Sequence, residues 1–221
     1  FNTFVIFIDT AKRNHGGKGE SIRKSKKNGE YHAQNIAHAV FGFREMGAEI
    51  VRYEGINEIY DAVTDEEIVL DYIDQVQTIL NKFHVKPVCE DYPAALRPFM
   101  GRRIWTDYIN AINANPKKWG VFVKPVRDKA FTGKVINGPR DLIDRVAAAF
   151  CTIPNRPMGC SIDFAVTVKD GKQQTIFLEM NDGYALGNYG LYHLSYAKLI
   201  SARWSQLLGR EDVFDFRKFL G

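Results

Sequence analysis

The chain has no long hydrophobic run. Its best N-terminal stretch, Phe4 to Ile8, is cut by Asp9, far short of the roughly 18 apolar residues that span a bilayer. No membrane span is therefore expected. The N-terminus also lacks a basic start, an extended apolar stretch and a small-residue cleavage site, so no secretion signal is read from it. Cysteine is scarce. Cys89, Cys151 and Cys160 make an odd, widely spaced set without C-x-x-C, which argues against a disulfide framework or a cysteine-based zinc site and fits a reducing, cytoplasmic setting. Internal repeats and low-complexity segments are missing too. His32 and His38 stand six apart, so they do not share a helical face as an i, i+4 metal pair would, and they read as surface or packing residues. The chain shows no convincing Ser/His/Asp or Cys/His set.

What is present is an ordinary globular balance: 221 residues, 45% hydrophobic and 25% charged, enough for one large domain or two small lobes around a cleft. The net charge of +4 is unevenly spread. Lys12, Arg13, Lys18, Arg23, Lys24, Lys26 and Lys27 lie in one glycine-containing stretch with Glu20 as the only acid. The expected form is a solvated, mobile basic loop over residues 10–30; nucleic-acid contact through residues 12–27 is the less favoured alternative. Within that stretch, His15 to Ser21 fails the spacing of a phosphate-binding loop.

Hydrophobic periodicity divides the chain. Phe4–Ile8, Ala48–Tyr53, Ile68–Leu70 and Val85–Cys89 read as short buried strands. Between them, Ile36, Val40 and Phe43 mark one helix, closed by Gly47, and Val76, Ile79, Leu80 and Phe83 mark another. Such alternation predicts a helix-covered parallel sheet in the first half. Beyond Asn115-Pro116 the pattern changes to strand pairs: Val121–Val126 with Thr132–Ile136, then Ser161–Val168 with Gln174–Asn181 about a turn containing Asp170-Gly171. A helix over 140–150, a glycine-rich loop over 182–190 and a helix from about Tyr192 to Leu208 complete the reading. Domains are expected over 1–115 and 116–221.

The strand Thr175 to Asn181 puts Ile176, Leu178 and Met180 on one face and Glu179 with Asn181 on the other. On its neighbour, Ile162, Phe164 and Val166 oppose Ser161, Asp163 and Ala165. Matching the apolar faces, with an odd-numbered loop centred on Gly171, sets Asp163 across from Glu179 and Ser161 across from Asn181. Adjacent carboxylates repel unless a cation lies between them, so a metal site is expected. Lys124 and Lys134 each interrupt a β-favouring run; their ammonium groups must reach water or an anion, and phosphate suits both. Arg97, Arg102 and Arg103 are read as structural ion-pairing residues or as an anion clamp.

The ordered elements Val121-Phe122-Val123-Lys124-Pro125, Phe131-Thr132-Gly133-Lys134, Ser161-Ile162-Asp163-Phe164-Ala165-Val166 and Leu178-Glu179-Met180-Asn181-Asp182-Gly183 resemble the ATP-grasp superfamily, and most of all a compact clade seen in phage and bacterial genomes. The resemblance covers roughly residues 90–192. It implies an α/β (α+β) protein in which an N-terminal helix-covered sheet precedes a compact ATP-grasp core of antiparallel strands and helices. By it, Lys124 and Lys134 would hold ATP phosphates, and Asp163, Glu179 and Asn181 would hold Mg2+. Cys151–Asn155 would form the inter-lobe hinge, with the backbone of Thr152 and Ile153 meeting adenine. The segment lacks the acid that commonly binds ribose in that family. The implied reaction joins a carboxylate to an amine or similar nucleophile through an acyl-phosphate. A phosphotransferase, or a non-catalytic nucleotide- or nucleic-acid-binding module, is the alternative.

Overall fold

The computed structural model describes residues 5–9, 20–87, 91–101 and 140–215, with the backbone alone for 5–9, 20–31 and 140–141. Two compact units are present. The first comprises Phe1–Pro93, Ile153–Asp163 and Glu179–Gly221, and the second Ala94–Thr152 and Phe164–Leu178. The boundary expected at residue 115 falls outside the described residues. Helices and strands are mixed in an α+β arrangement.

The first unit is built on a three-stranded sheet in the order β2-β1-β3, where β1 is Val5–Asp9, β2 is Glu49–Tyr53 and β3 is Ile68–Leu70. Both neighbours run parallel to β1, with Phe7 opposite Val51 on one side and Val69 on the other. Parallel strands need a crossover, and α1 (Glu20–Glu45) supplies it from β1 to β2. The helix stops at Met46-Gly47 because Gly47 takes φ +84°. There Ala48 N–H donates to Phe43 C=O and Gly47 N–H to Arg44 C=O, each at 3.0 Å, the paired bonds of a Schellman cap. From α1 the sequence-marked Phe43 and its neighbour Ala39 enter a core with Ile68, Val69, Val76, Ile79, Leu80 and Trp204.

A short helix α2 (Ile56–Ile59) precedes β3, and α3 (Ile73–Lys82) follows it with Val76, Ile79 and Leu80 inward. No strand follows over residues 85–87, which corrects the expectation for Val85–Cys89; residues 88–90 lie outside the described set. The backbone explains the difference. Val85 N–H donates to Leu80 C=O at 2.9 Å and His84, at φ +59°, donates to Asn81 C=O, so the first residue of the expected strand caps α3 instead. Pro87 then removes a ladder donor.

A second correction concerns the basic stretch. Residues 20–30 are the first turns of α1 rather than loop, so Arg23, Lys24, Lys26 and Lys27 are helical; Lys12, Arg13 and Lys18 fall outside the described residues. The segment is rich in Glu, Arg and Lys and free of proline, and such residues have good helix propensity. Propagation from an anchored helix needs no new nucleus, so Gly29 is tolerated within it.

The second unit contains a 3-10 turn at Arg97–Phe99 and α4 (Arg140–Cys151). Leu96, Met100, Val146 and Phe177 are buried there, and the Arg145 guanidinium lies over the Phe99 ring at 5.3 Å. The strand pair expected over Val121–Val126 and Thr132–Ile136, with Lys124 and Lys134, lies outside the described residues, as do Arg102 and Arg103.

Strands β4 (Cys160–Lys169) and β5 (Lys172–Asp182) form a separate two-stranded sheet, and each passes from one unit to the other along its length. The connecting turn is Asp170-Gly171, with φ of +52° and +71°, the geometry of a two-residue hairpin. That replaces the odd-numbered loop expected about Gly171. The burial expected of Ile176, Leu178 and Met180 is also revised: Met180 is buried, but so are Phe177 and Asn181 from the opposite face, so β5 has no simple polar side. A 3-10 turn at Gly183–Ala185 and the helix α5 (His193–Leu207) end the described fold.

Candidate active site

The first unit holds Ser161 and Asp163 of β4 and Glu179 and Asn181 of β5. Asn181 is 2% exposed, and a primary amide so placed must find partners. Its Nδ2 donates to Asp163 Oδ2 at 3.1 Å and to Ser161 Oγ at 3.3 Å. Ser161 Oγ in turn donates to Asp163 Oδ1 at 3.1 Å. Three side chains marked in the sequence are thus one polar cluster.

The route to that cluster differs from the one expected. A two-residue turn pairs Lys169 with Lys172, and an unbroken ladder would then set Asn181 opposite Cys160, on the face away from Ser161 and Asp163. The hydrogen bonds show Asn181 on their side, so the parity shifts by one residue between the turn and this end of the hairpin, as a bulge does.

Glu179 is two residues from Asn181 on the same strand and shares its face. Its Oε2 accepts from Tyr92 Oη at 3.4 Å. The preceding residue of that segment is tied down as well, because Met180 N–H donates to the Asp91 carbonyl at 2.9 Å. Nothing in the sequence pattern assigned Tyr92 a place beside Glu179.

The end of β5 is fixed by Asp182 and Arg203. Arg203 Nε and Nη2 reach Asp182 Oδ1 and Oδ2 at 2.7 and 2.6 Å, with the two side chains 5% and 10% exposed. Arg203 Nη1 also meets Gln206 Oε1 at 2.7 Å, and Gln206 Nε2 donates to the Arg156 carbonyl. The other strand is tied in by Gly183 N–H, which donates to Gly159 C=O at 3.0 Å. A Cβ on Gly183 would come within 2.4 Å of the Gly159 oxygen, and a Cβ on Gly159 within 2.2 Å of the Leu199 oxygen; the glycines are what allow this approach. Cys160 lies in the same corner, its thiol pushed up to about 11 by burial first and by Asp182 second, against the pull of Arg203.

Asp163, Glu179 and Asn181 are all hard oxygen donors suited to Mg2+. The amide of Asn181 now turns its nitrogen toward Asp163, and the same amide turned over would present oxygen. Among the described residues no group of three or more His, Cys, Asp or Glu side chains is gathered for a metal. Of the segment Cys151–Asn155, Cys151 ends α4, and the chain passes from the second unit to the first between Thr152 and Ile153. Thr152 Oγ1 donates to the Ala149 carbonyl at 2.7 Å, and Asn155 takes φ +53°.

Residues 99–145 and 139–199 match a family model described as an ATP-grasp domain, the second family of its clade. That part of the chain belongs to the ATP-grasp superfamily. No curated protein and no solved structure matches the chain. The described residues contain no helix long and apolar enough to cross a membrane.

Proposed function

We propose that the protein is an ATP- and Mg2+-dependent ligase that joins a carboxylate to an amine or similar nucleophile. The observation that carries this reading is the Asp163–Asn181–Ser161 cluster, with Glu179 on the same strand face as Asn181, in a segment matched by an ATP-grasp family model.

In this reading Lys124 and Lys134 neutralise the ATP phosphates, and the backbone at Thr152 and Ile153 meets the adenine edge. Asp163, Glu179 and Asn181 would hold Mg2+, which when bound neutralises phosphate charge. The substrate carboxylate oxygen attacks the γ-phosphorus, and the bond from that phosphorus to the β–γ bridging oxygen breaks to release ADP. The amine nitrogen then attacks the acyl carbon, loses a proton and expels phosphate. Positioning and electrostatics suffice for both displacements, so no side-chain nucleophile is required. The basic start of α1 would assist an anionic substrate.

The test is ADP release with Mg2+ in the presence of a carboxylate and an amine together. Release that needs both, with stoichiometric amide product, supports the ligase. Release with a stable phosphorylated product and no need for the amine would make it a phosphotransferase. Salt-sensitive nucleic-acid binding without turnover would make it a binding module.

A further inference from the structure

Ser161 and Asn181 stand close to the ends of their strands: Gly159 is two residues before the one and Gly183 two residues after the other. The bond from Gly183 N–H to Gly159 C=O closes the pair at that end. Behind it runs α5, near enough that a Cβ on Gly159 would meet the Leu199 oxygen at 2.2 Å and the Arg203 Cβ at 3.1 Å. The helix is a firm support, since Ala197, Ile200 and Trp204 are buried in the core of the first unit.

Two side chains of α5 hold the strand ends. Arg203, 4% exposed, donates through Nε and Nη2 to both oxygens of Asp182, the residue after Asn181. Its Nη1 donates to Gln206 Oε1, which also accepts from Met158 N–H at 2.7 Å, and Gln206 Nε2 donates to the Arg156 carbonyl at 2.9 Å. One network therefore grips the entry to β4 and the exit of β5 together. Asp182 is extended, at φ −69° and ψ 139°, and successive side chains of extended chain alternate. Fixing Asp182 toward α5 thus turns Asn181 the other way, where its Nδ2 meets Asp163 and Ser161. A lysine would carry the same charge as Arg203, but only the planar guanidinium sets both the distance and the angle of a carboxylate.

We propose that Arg203 is a positioning residue for the metal site: through Asp182 and Gln206 it holds Asn181 and the start of β4 in the geometry that Mg2+ demands, without touching the ion itself. This rests on the reading of Asp163, Glu179 and Asn181 as Mg2+ ligands. Mg2+ takes near-ideal octahedral sites with short bonds, whereas Ca2+ accepts longer and less regular ones. A loosened clamp therefore costs Mg2+ more than Ca2+. Loss of stability alone lowers the folded fraction and leaves that preference where it was.

The experiment is calorimetry of ATP binding to the full chain in EDTA, in saturating Mg2+ and in saturating Ca2+. The quantity read is the factor by which each cation raises ATP affinity over the EDTA value; the cation's own affinity for ATP is common to all variants and cancels between them. Arg203→Lys keeps the charge and removes the fork. It is expected to lower the Mg2+ factor by about tenfold, the low end of what outer supports of a metal site contribute, to lower the Ca2+ factor by less, and to leave ATP affinity in EDTA unchanged. Gln206→Ala, which keeps the ion pair and frees the entry to β4, should lower the Mg2+ factor by roughly threefold and serves if Arg203→Lys does not fold. Gly42→Ala, which crowds the other end of α5 at His193, should leave both factors at wild-type values. A wild-type Mg2+ factor in the folded clamp variant, equal losses for Mg2+ and Ca2+, or the same losses in Gly42→Ala overturns the proposal. If the wild type itself shows no Mg2+ factor, the metal reading fails and takes the proposal with it. If the clamp variants behave as expected while no carboxylate and amine pair releases ADP from the wild type, the ligase reading fails and the positioning role stands.

Discussion

Arg203 on α5 and Asp182 at the end of β5 face each other as a two-pronged pair, Nε to Oδ1 at 2.7 Å and Nη2 to Oδ2 at 2.6 Å. The planar fork fixes the direction of Asp182 as well as its charge, and Asp182 is the residue next to Asn181. Asp182 Oδ1 also accepts from Tyr184 N–H at 3.3 Å, so one carboxylate anchors both the strand end and the turn beyond it. Trp204, the neighbour of Arg203, reaches the same turn, its Nε1 donating to the Tyr184 carbonyl at 3.2 Å.

Removing one member of a buried pair leaves the other charge without compensation, at a cost of about 3–5 kcal/mol. Arg203→Met is expected to destabilise by that amount in urea unfolding. Replacing both residues, as Arg203→Met with Asp182→Leu, should recover part of the loss because no orphan charge remains. A loss below about 1 kcal/mol in the single variant would show that water reaches Asp182 and screens it.

The close approach of α1 to α5 gives a steric prediction. A Cβ on Gly42 would lie 2.3 Å from the His193 carbonyl oxygen and 2.7 Å from Ala197 Cβ, both on α5 and the first of them backbone. Gly42→Ala improves helix propensity by about 1 kcal/mol, yet overpacking of this kind costs about 1–3 kcal/mol, and backbone contact puts the cost at the upper end. Thermal unfolding should show net destabilisation. Gly55→Ala, where nothing lies within 4 Å of the added atom, is the control and should be near neutral.

Much of the first unit could be read from its residues. Ile68–Leu70 is a strand with the bounds its apolar run suggested, Gly47 caps α1 where a left-handed residue was needed, and Val76, Ile79 and Leu80 point inward at helical spacing. Where reading failed, a longer-range influence decided. The charge of residues 20–30 argued for loop, but helix propagation along α1 prevailed. Val85 looked like strand, but its N–H was taken by the cap of α3. At the site, alternation suggested that Ser161, Asp163 and Asn181 share one side, and the hydrogen bonds do join them, but through a two-residue turn rather than the expected odd-numbered loop. The tie of Arg203 to Asp182, 21 residues away, and the placement of Tyr92 beside Glu179, 87 residues away, leave no local pattern.

Cys160 supplies a pH prediction. Its folded pKa is raised to about 11 from 9.0, so between those values the unfolded chain loses the thiol proton first. Stability from this group is intact below pH 9 and falls as pH rises toward 11. Urea midpoints of the wild type should therefore drop more steeply over that range than those of Cys160→Ala. At about pH 8 iodoacetamide should label exposed Cys151 well before the half-buried Cys160, as peptide masses would report; equal labelling rates would contradict the raised thiol pKa.

Lys124 and Lys134 are expected to contribute nucleotide affinity rather than stability, since each places a charge within an apolar run where it needs an anion. Lys124→Met and Lys134→Met should each weaken ATP binding by about 1–3 kcal/mol and leave the unfolding midpoint unchanged or higher. Calorimetry with ATP and Mg2+ measures the first and urea titration the second. Normal ATP binding in both variants would remove the phosphate assignment.

Glu179 offers the sharpest separation of metal chemistry from folding. It shares a strand face with Asn181, and its carboxylate accepts a long hydrogen bond from Tyr92 Oη at 3.4 Å. Glu179→Gln keeps an acceptor oxygen for Tyr92 and the shape of the strand, so without metal the stability should change by no more than about 0.5 kcal/mol, or rise as repulsion with Asp163 is relieved. A magnesium ligand would lose its charge, so Mg2+-dependent turnover should fall by two or more orders of magnitude, as when about 3 kcal/mol of transition-state stabilisation is withdrawn. Asp163→Asn provides the contrast. Asp163 accepts from both Ser161 and Asn181, and an amide can accept through only one of its two heavy atoms. That variant should lose both turnover and about 1–3 kcal/mol of stability. Unchanged Mg2+-dependent activity in Glu179→Gln would eliminate it as a metal ligand, and a loss of activity matched by an equal loss of stability would make its role structural.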